Sequence, residues 1–261
     1  MGRPLAFQPL AKAAIAFRPE FLDFDRGIRV GNLEESERIT RLLKRGLEHR
    51  FQQPFVTERW GRGVFWQWIG FLPRANRAAK PISSHVSFGC AKFFVEVDTG
   101  DKLFKCGLQV ERGYLSAPKE YPHCELRADW DWNRLISSLR RGSLMLGELE
   151  RLVAEGFFIH AGNWETESTV FSHSTPPSAG KILRILTSAA GDRWAGFQIY
   201  FPMRKREVLR STGLDLVESM LAVFGEVTPA MNLCMQVRLE SKGASRTPSN
   251  GSDEARRVGN Q

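Results

Sequence analysis

Four charged side chains in the stretch "HVSFGCAKFFVEVDTGDKLFKCGLQVERGY" (85–114) have the types and spacing of a metal-dependent nuclease: Lys92, Glu96, Lys105 and Glu111. Two carboxylates and a lysine on adjacent strands can hold a divalent ion and polarise water for attack on phosphorus. A hairpin with residues 98–101 as its turn pairs Val97 with Lys102. Phe93, Val95 and Val97 then share a face with Phe104, Cys106, Leu108 and Val110, and Lys92, Phe94, Glu96, Lys105, Gln109 and Glu111 point the other way. The solvated face of any antiparallel sheet shows the same pattern, with opposite charges paired across strands. That reading is preferred, and no metal ligand is assigned.

His85 in "SHVSF" and His173 in "SHSTP" each precede a small residue and then a hydroxyl. This His-x-Ser/Thr pattern resembles the two-histidine phosphoesterases. The resemblance implies one histidine as acid and one as base, with the hydroxyls holding phosphate. His173 runs into Pro176 and Pro177 rather than a clear strand, so a phosphoesterase or nuclease stands as the enzymatic alternative. His123 and His160 have no spacing partner. No GxxxxGKS, GxGxxG, GxSxG or HExxH pattern occurs, so nucleotide hydrolysis is disfavoured and no cofactor is expected.

A third grouping mixes aromatic and basic residues. "RWGRGVFWQWIGFLPRANRAAKPISSH" (59–85) sets Trp60, Phe65, Trp66, Trp68 and Phe71 among Arg59, Arg62, Arg74, Arg77 and Lys80. Arginine grips phosphate through planar, bidentate contacts, and aromatic rings stack on exposed bases. The charge is local: residues 38–81 hold ten basic side chains against Glu48 and Glu58, and each remaining segment is close to neutral, for a total of +8. Such a field attracts polyanions and weakens with salt. "PMRKREVLR" adds Arg204, Lys205 and Arg206 at the start of a long helix. Cations are unfavourable at that end unless an anion sits there.

The elements that must position these groups follow from periodicity. "NLEESERITRLLKRGLEHRFQ" (32–52) reads as a helix capped by Asn32, with Ile39, Leu42, Leu43 and Leu47 as its buried stripe and Arg41 and Arg45 on its flanks. Residues 64–72 read as a strand ended by Pro73. Alternation there puts Phe65, Gln67, Ile69 and Phe71 on one face and Trp66, Trp68 and Leu72 on the other. Helices are expected over 128–141, 143–156, 178–189 and 204–225, and strands near 157–164, 166–173 and 194–203. The order implies an α+β fold: an antiparallel sheet (the hairpin near 85–112 plus further strands) with helices packed on one side. Residues 1–238 form one such domain, with 31–81 as a basic helix–strand segment within it. Residues 239–261, almost without apolar side chains, form a disordered tail.

Cys90, Cys106, Cys124 and Cys234 are scattered and read as reduced thiols. No apolar run approaches the roughly 18 residues that a membrane span needs. Pro4, Pro9 and Pro19 interrupt a transit-like N-terminus, so a soluble, cytoplasmic protein without a membrane partner is expected.

The expectation for function is nucleic-acid binding, DNA or RNA, as an isolated protein or a subunit of a nucleoprotein complex. Its contact residues would be Arg41, Arg45, Arg59, Arg62, Trp66, Trp68, Arg74, Arg77, Lys80, Arg204, Lys205 and Arg206, with Trp60 a further stacking candidate. An interaction module binding acidic protein partners is the non-enzymatic alternative.

Overall fold

The alternating stretches at 91–98 and 103–111 form the middle of a nine-stranded antiparallel sheet in the computed structural model, which describes residues 16–79, 89–112, 119, 128, 130–162, 168–189 and 195–240. The strands are β1 (Leu22–Asp23), β2 (Gly27–Arg29), β3 (Phe55–Arg62), β4 (Phe65–Pro73), β5 (Ala91–Asp98), β6 (Leu103–Glu111), β7 (Phe158–Gly162), β8 (Ser168–Phe171) and β9 (Gly196–Arg204). Across the sheet the order is β3, β4, β5, β6, β9, β7, β8. Strand β4 pairs with β3 along its whole length. Its other edge is divided between β2, opposite Phe65 and Trp66, and β5, opposite Trp68 to Phe71.

The observed β5–β6 register sets Val97 opposite Phe104 and Asp98 opposite Leu103. It differs by two residues from the pairing of Val97 with Lys102, and a shift of two leaves every side chain on its own face. Phe93, Val95 and Val97 therefore join Phe104, Cys106, Leu108 and Val110 in one core cluster, extended by Phe197, Ile199 and Ile159.

Six of the seven α-helices among the described residues supply the other side of that core: α1 (Ile39–Phe51), α3 (Asp131–Ser138), α4 (Leu144–Ala154), α5 (Ala179–Ser188), α7 (Gly213–Cys234) and, through Val208 alone, α6 (Lys205–Arg210). Two short helices, α2 (Arg74–Ala78) and α6, follow β4 and β9 directly. The α+β class is as expected.

Two helix boundaries differ from the periodicity. The helix expected over 32–52 starts only at Ile39, because Arg38 is extended and the Glu37 carboxylate accepts from the Glu34 N–H at 3.0 Å to close a separate 3-10 turn. Asn32 is not the cap; its backbone is left-handed at φ 55°. The helix expected over 204–225 is two helices. Ser211 is extended, and Thr212 and Asp215 cap α7 reciprocally: Thr212 Oγ1 accepts from the Asp215 N–H at 3.2 Å and Asp215 Oδ2 from the Thr212 N–H at 3.3 Å. A reciprocal box of this kind starts a new helix more favourably than it would sit inside an old one.

The C-terminal end is tied in through Leu239, one residue into the expected tail, whose N–H donates to Asn232 Oδ1 at 2.7 Å. Residues 241–261 lie outside the described residues. No helix among the described residues is long and apolar enough to cross a membrane.

A fully buried carboxylate fastens these layers. Asp131 Oδ2 accepts from Asn76 Nδ2 at 2.7 Å and from the Ala91 N–H at 2.7 Å, and its Oδ1 accepts from the Gln236 N–H at 3.0 Å. One side chain on α3 thereby holds α2, β5 and the segment after α7. Leaving buried donors unsatisfied costs about 1–3 kcal/mol each. Asp131→Ala is expected to lower the unfolding free energy by about 3–5 kcal/mol, given that such losses are not fully additive; urea denaturation measures it.

Candidate functional site

The basic side chains singled out in the sequence divide among three places. Arg41 and Arg45 are exposed on α1, where both face Glu35, at 3.5 and 3.4 Å. Arg74 and Arg77 lie on α2, beyond the C-terminal end of β4. Arg62 lies at the other end of the β3–β4 hairpin, roughly 26 Å away along a nine-residue strand, and Arg59, opposite Ile69, lies about midway. Lys80 is outside the described residues.

Arg204, Lys205 and Arg206 are exposed where β9 passes into α6, with Arg204 opposite Leu103 beside the β5–β6 turn. The Glu207 carboxylate already accepts from the Arg204 N–H at 2.7 Å, and α6 is only six residues long. These cations therefore do not sit at the open end of a long helix.

Three turns gather at the Arg59–Arg62 end. In the β1–β2 turn, Asp23 Oδ1 accepts from the N–H groups of Asp25 and Arg26 at 2.9 and 3.0 Å. Lys102, from the β5–β6 turn, reaches it through Phe24 O at 3.0 Å and Asp25 Oδ1 at 2.8 Å. Lys102 thereby holds the Asp25 carboxyl below its ordinary value, with Lys205 adding to the effect. The β3–β4 turn is joined to the chain after β2 by the Val30 N–H donating to Val64 O at 2.8 Å.

The conformation of the β3–β4 tip depends on a bulge. Trp60 stands opposite Trp68, but Gly61 stands opposite Trp66, so Gln67 is an extra residue. Gly61 has φ +142°, and a Cβ there would lie 2.5 Å from Trp66 Cα, so only glycine fits. The extra residue overturns the expected sharing of a face by Trp66 and Trp68. Trp66 packs against the core cluster, with the Arg59 guanidinium 4.2 Å from its ring centroid. Trp68 lies on the opposite face, across Gly70, with Nε1 donating to Gln109 Oε1 at 2.9 Å and Lys92 Nζ 5.4 Å from its ring. Both indoles are engaged within the fold. Trp60, by contrast, is 69% exposed.

Around Trp60 an open cleft of about 550 Å³ is lined by Arg26, Arg59, Arg62, Gly61, Phe65 and Gln67. Three arginines and no acidic residue line it. The Arg26 guanidinium lies 4.1 Å from the Phe65 centroid while its Nε donates to Asp23 Oδ2 at 2.8 Å. Arg26 was not singled out in the sequence, because it falls outside the basic segment and only the fold of β1 and β2 brings it to the hairpin tip.

The nuclease-like carboxylates belong to a different surface. On the sheet face away from the core cluster, Lys92 is 0% exposed and pairs with Glu111 at 2.9 Å and Glu58 at 3.2 Å. Burial alone would lower the Lys92 pKa, but Glu111 and Glu58 outweigh it and raise it, keeping the ammonium charged. Gln109 accepts from Gln198 Nε2 at 2.8 Å and donates to Glu111; Gln198 Nε2 also lies 3.5 Å from Glu96 Oε2.

Glu96 and Glu111 thus stand at opposite ends of a glutamine relay instead of converging on one point. Burial raises the Glu96 carboxyl, with Lys105 4.0 Å away acting against it. Lys105 also donates to Asp98 at 2.6 Å. Among the described residues no group of three or more His, Cys, Asp or Glu side chains is placed to hold a metal ion.

Of the paired histidines, His85 lies outside the described residues, as do His123 and Cys124, and His173 is exposed in the turn between Ser172 and Thr175. His160, without a sequence partner, joins the polar face through Gln198. Cys90, Cys106 and Cys234 are buried, and burial pushes the Cys106 thiol up.

No protein-family model matches the chain, and comparison with curated proteins finds no similar sequence. Chemistry at the site therefore rests on geometry.

Two expectations follow for the polar face. Removing one partner of a buried ion pair typically costs about 3–5 kcal/mol. Lys92→Met should show a loss of that size in urea denaturation, with much of it restored when Glu58→Gln and Glu111→Gln are added. His160 has its pKa lowered below 6.5, mainly by burial and also by Lys105, against a hydrogen bond with Gln198. The unfolded chain then takes up the proton first, so stability falls as pH drops from about 6.5 towards the lowered value. His160→Gln should flatten the pH dependence of the denaturation midpoint in that window.

Proposed function

We propose that this protein binds nucleic acid, holding the phosphate backbone with the arginines gathered at the β3–β4 end of the sheet. The observation that carries the reading is the cleft around Trp60, which Arg26, Arg59 and Arg62 line without any acidic side chain. Neither Arg59 nor Arg62 has an ion-pair partner among the described residues, whereas Arg41 and Arg45 share Glu35. Unneutralised guanidinium groups on one surface create a local positive potential that draws in polyanions.

Arg59 and Arg26 add a second advantage. Each lies over an aromatic ring, at 4.2 and 4.1 Å. A stacked guanidinium uses its flat face on the ring and keeps in-plane N–H donors for phosphate oxygens. Its restricted rotamers also reduce the entropy lost on binding. Arg204, Lys205 and Arg206 extend the positive surface towards the neighbouring β5–β6 turn.

The test is fluorescence anisotropy with DNA and RNA over a range of salt. Arg59→Ala with Arg62→Ala should weaken binding at low salt and reduce the slope of log K against log salt by about 1.4–1.8, for two phosphate contacts. Arg74→Ala with Arg77→Ala, at the far end of β4, should change affinity less than about twofold, as expected for charges that make no backbone contact. Salt-insensitive association with acidic proteins, and none with nucleic acid, would overturn the proposal.

A further inference from the structure

Resting on that backbone-binding reading, we infer that the cleft at the hairpin tip seats an unpaired nucleobase against Trp60, so that the substrate class is single-stranded nucleic acid. The first support is the division of labour among the indoles of the β3–β4 hairpin. Trp68 is fixed by its hydrogen bond to Gln109 and by Lys92, and Trp66 is packed between the core and Arg59. Trp60 is 69% exposed and carries no such engagement. It stands beside a bulge that admits only glycine, so its position is set by the backbone.

The second support is what surrounds it. The cleft of about 550 Å³ falls within the roughly 300–1,000 Å³ of small-ligand sites. Gln67, exposed in the same cleft, can both donate and accept at a base edge. Arg59 and Arg62 flank Trp60 in sequence, and Arg26 closes the cleft from the β1–β2 turn. Arginines at the margins of the cleft can hold the phosphates on either side of a base stacked on Trp60. Stacking of this kind accepts any base but needs the base out of a duplex. An anionic protein surface would also be drawn to the arginines, but it has no flat ring to place on the indole in every register.

The experiment compares four probes by anisotropy at low and moderate salt, using the full chain: a single-stranded DNA, its RNA equivalent, the DNA annealed to its complement, and the same strand with abasic sites. The abasic strand keeps the phosphates and removes the rings. The intact single strand is expected to bind roughly tenfold or more tightly than the abasic one, as stacking of a base on an aromatic ring would give. Trp60→Ala should abolish that ratio while leaving abasic binding and the salt slope unchanged, and Trp60→Phe should keep most of it. Unchanged abasic binding also shows that the variant is folded.

Equal binding of intact and abasic strands, a ratio that survives Trp60→Ala, or a preference for duplex would overturn the stacking site while leaving backbone binding in place. No salt-dependent binding of any probe would overturn both.

Discussion

The proposed binding end of this molecule depends on a position that cannot carry a side chain. Strand β4 must satisfy β3 on one edge and two different strands on the other, and the register slips by one residue between Trp60 and Gly61 to allow it. A Cβ at Gly61 would meet the Trp66 backbone at 2.5 Å, so the slip exists only because residue 61 is glycine. From it follow the inward turn of Trp66 under Arg59 and the placement of Trp68 on the other face. A strand without the bulge would put Trp66 and Trp68 on one face, as simple alternation does.

The two faces of the sheet are stabilised by different means. One is an apolar core shared with six helices. The other buries Lys92, Gln109, Glu111 and Gln198 in a hydrogen-bonded relay that begins at Glu58 on β3 and reaches β9. Lys92 holds β3 and β6 to β5 through two carboxylates, and Gln109 holds Trp68 in place. Charge here is balanced locally, whereas Arg59 and Arg62 have no ion-pair partner among the described residues. The residues that resemble a nuclease serve the sheet, and the arginines remain available to a ligand.

Much of this was legible in the sequence, for reasons of parity and period. The face of each residue in β5 and β6 depends only on odd or even position, so it survived a register two residues away from the expected one. The buried stripe Ile39, Leu42, Leu43 and Leu47 needed only the helical period. The concentration of charge in 38–81 was visible by counting, but its division was not: Arg41 and Arg45 join Glu35 on α1, Arg74 and Arg77 lie beyond the far end of β4, and only Arg59 and Arg62 reach the cleft. Arg26 and the relay through Glu58, Gln198 and His160 depend on strand order, which no local pattern encodes. The break at Ser211 lay within a continuous helical pattern, and the competing cap at Thr212 and Asp215 won there.

The most direct test of the central claim is amide hydrogen exchange with and without a short single-stranded oligonucleotide. The proposed contact is at the β1–β2 turn and the β3–β4 tip, so new protection is expected at residues 24–27 and 60–65, with 39–51 and 74–78 unchanged. Protection confined to α1 and α2, or none at saturating oligonucleotide, would contradict the assignment of this end of the sheet as the binding surface.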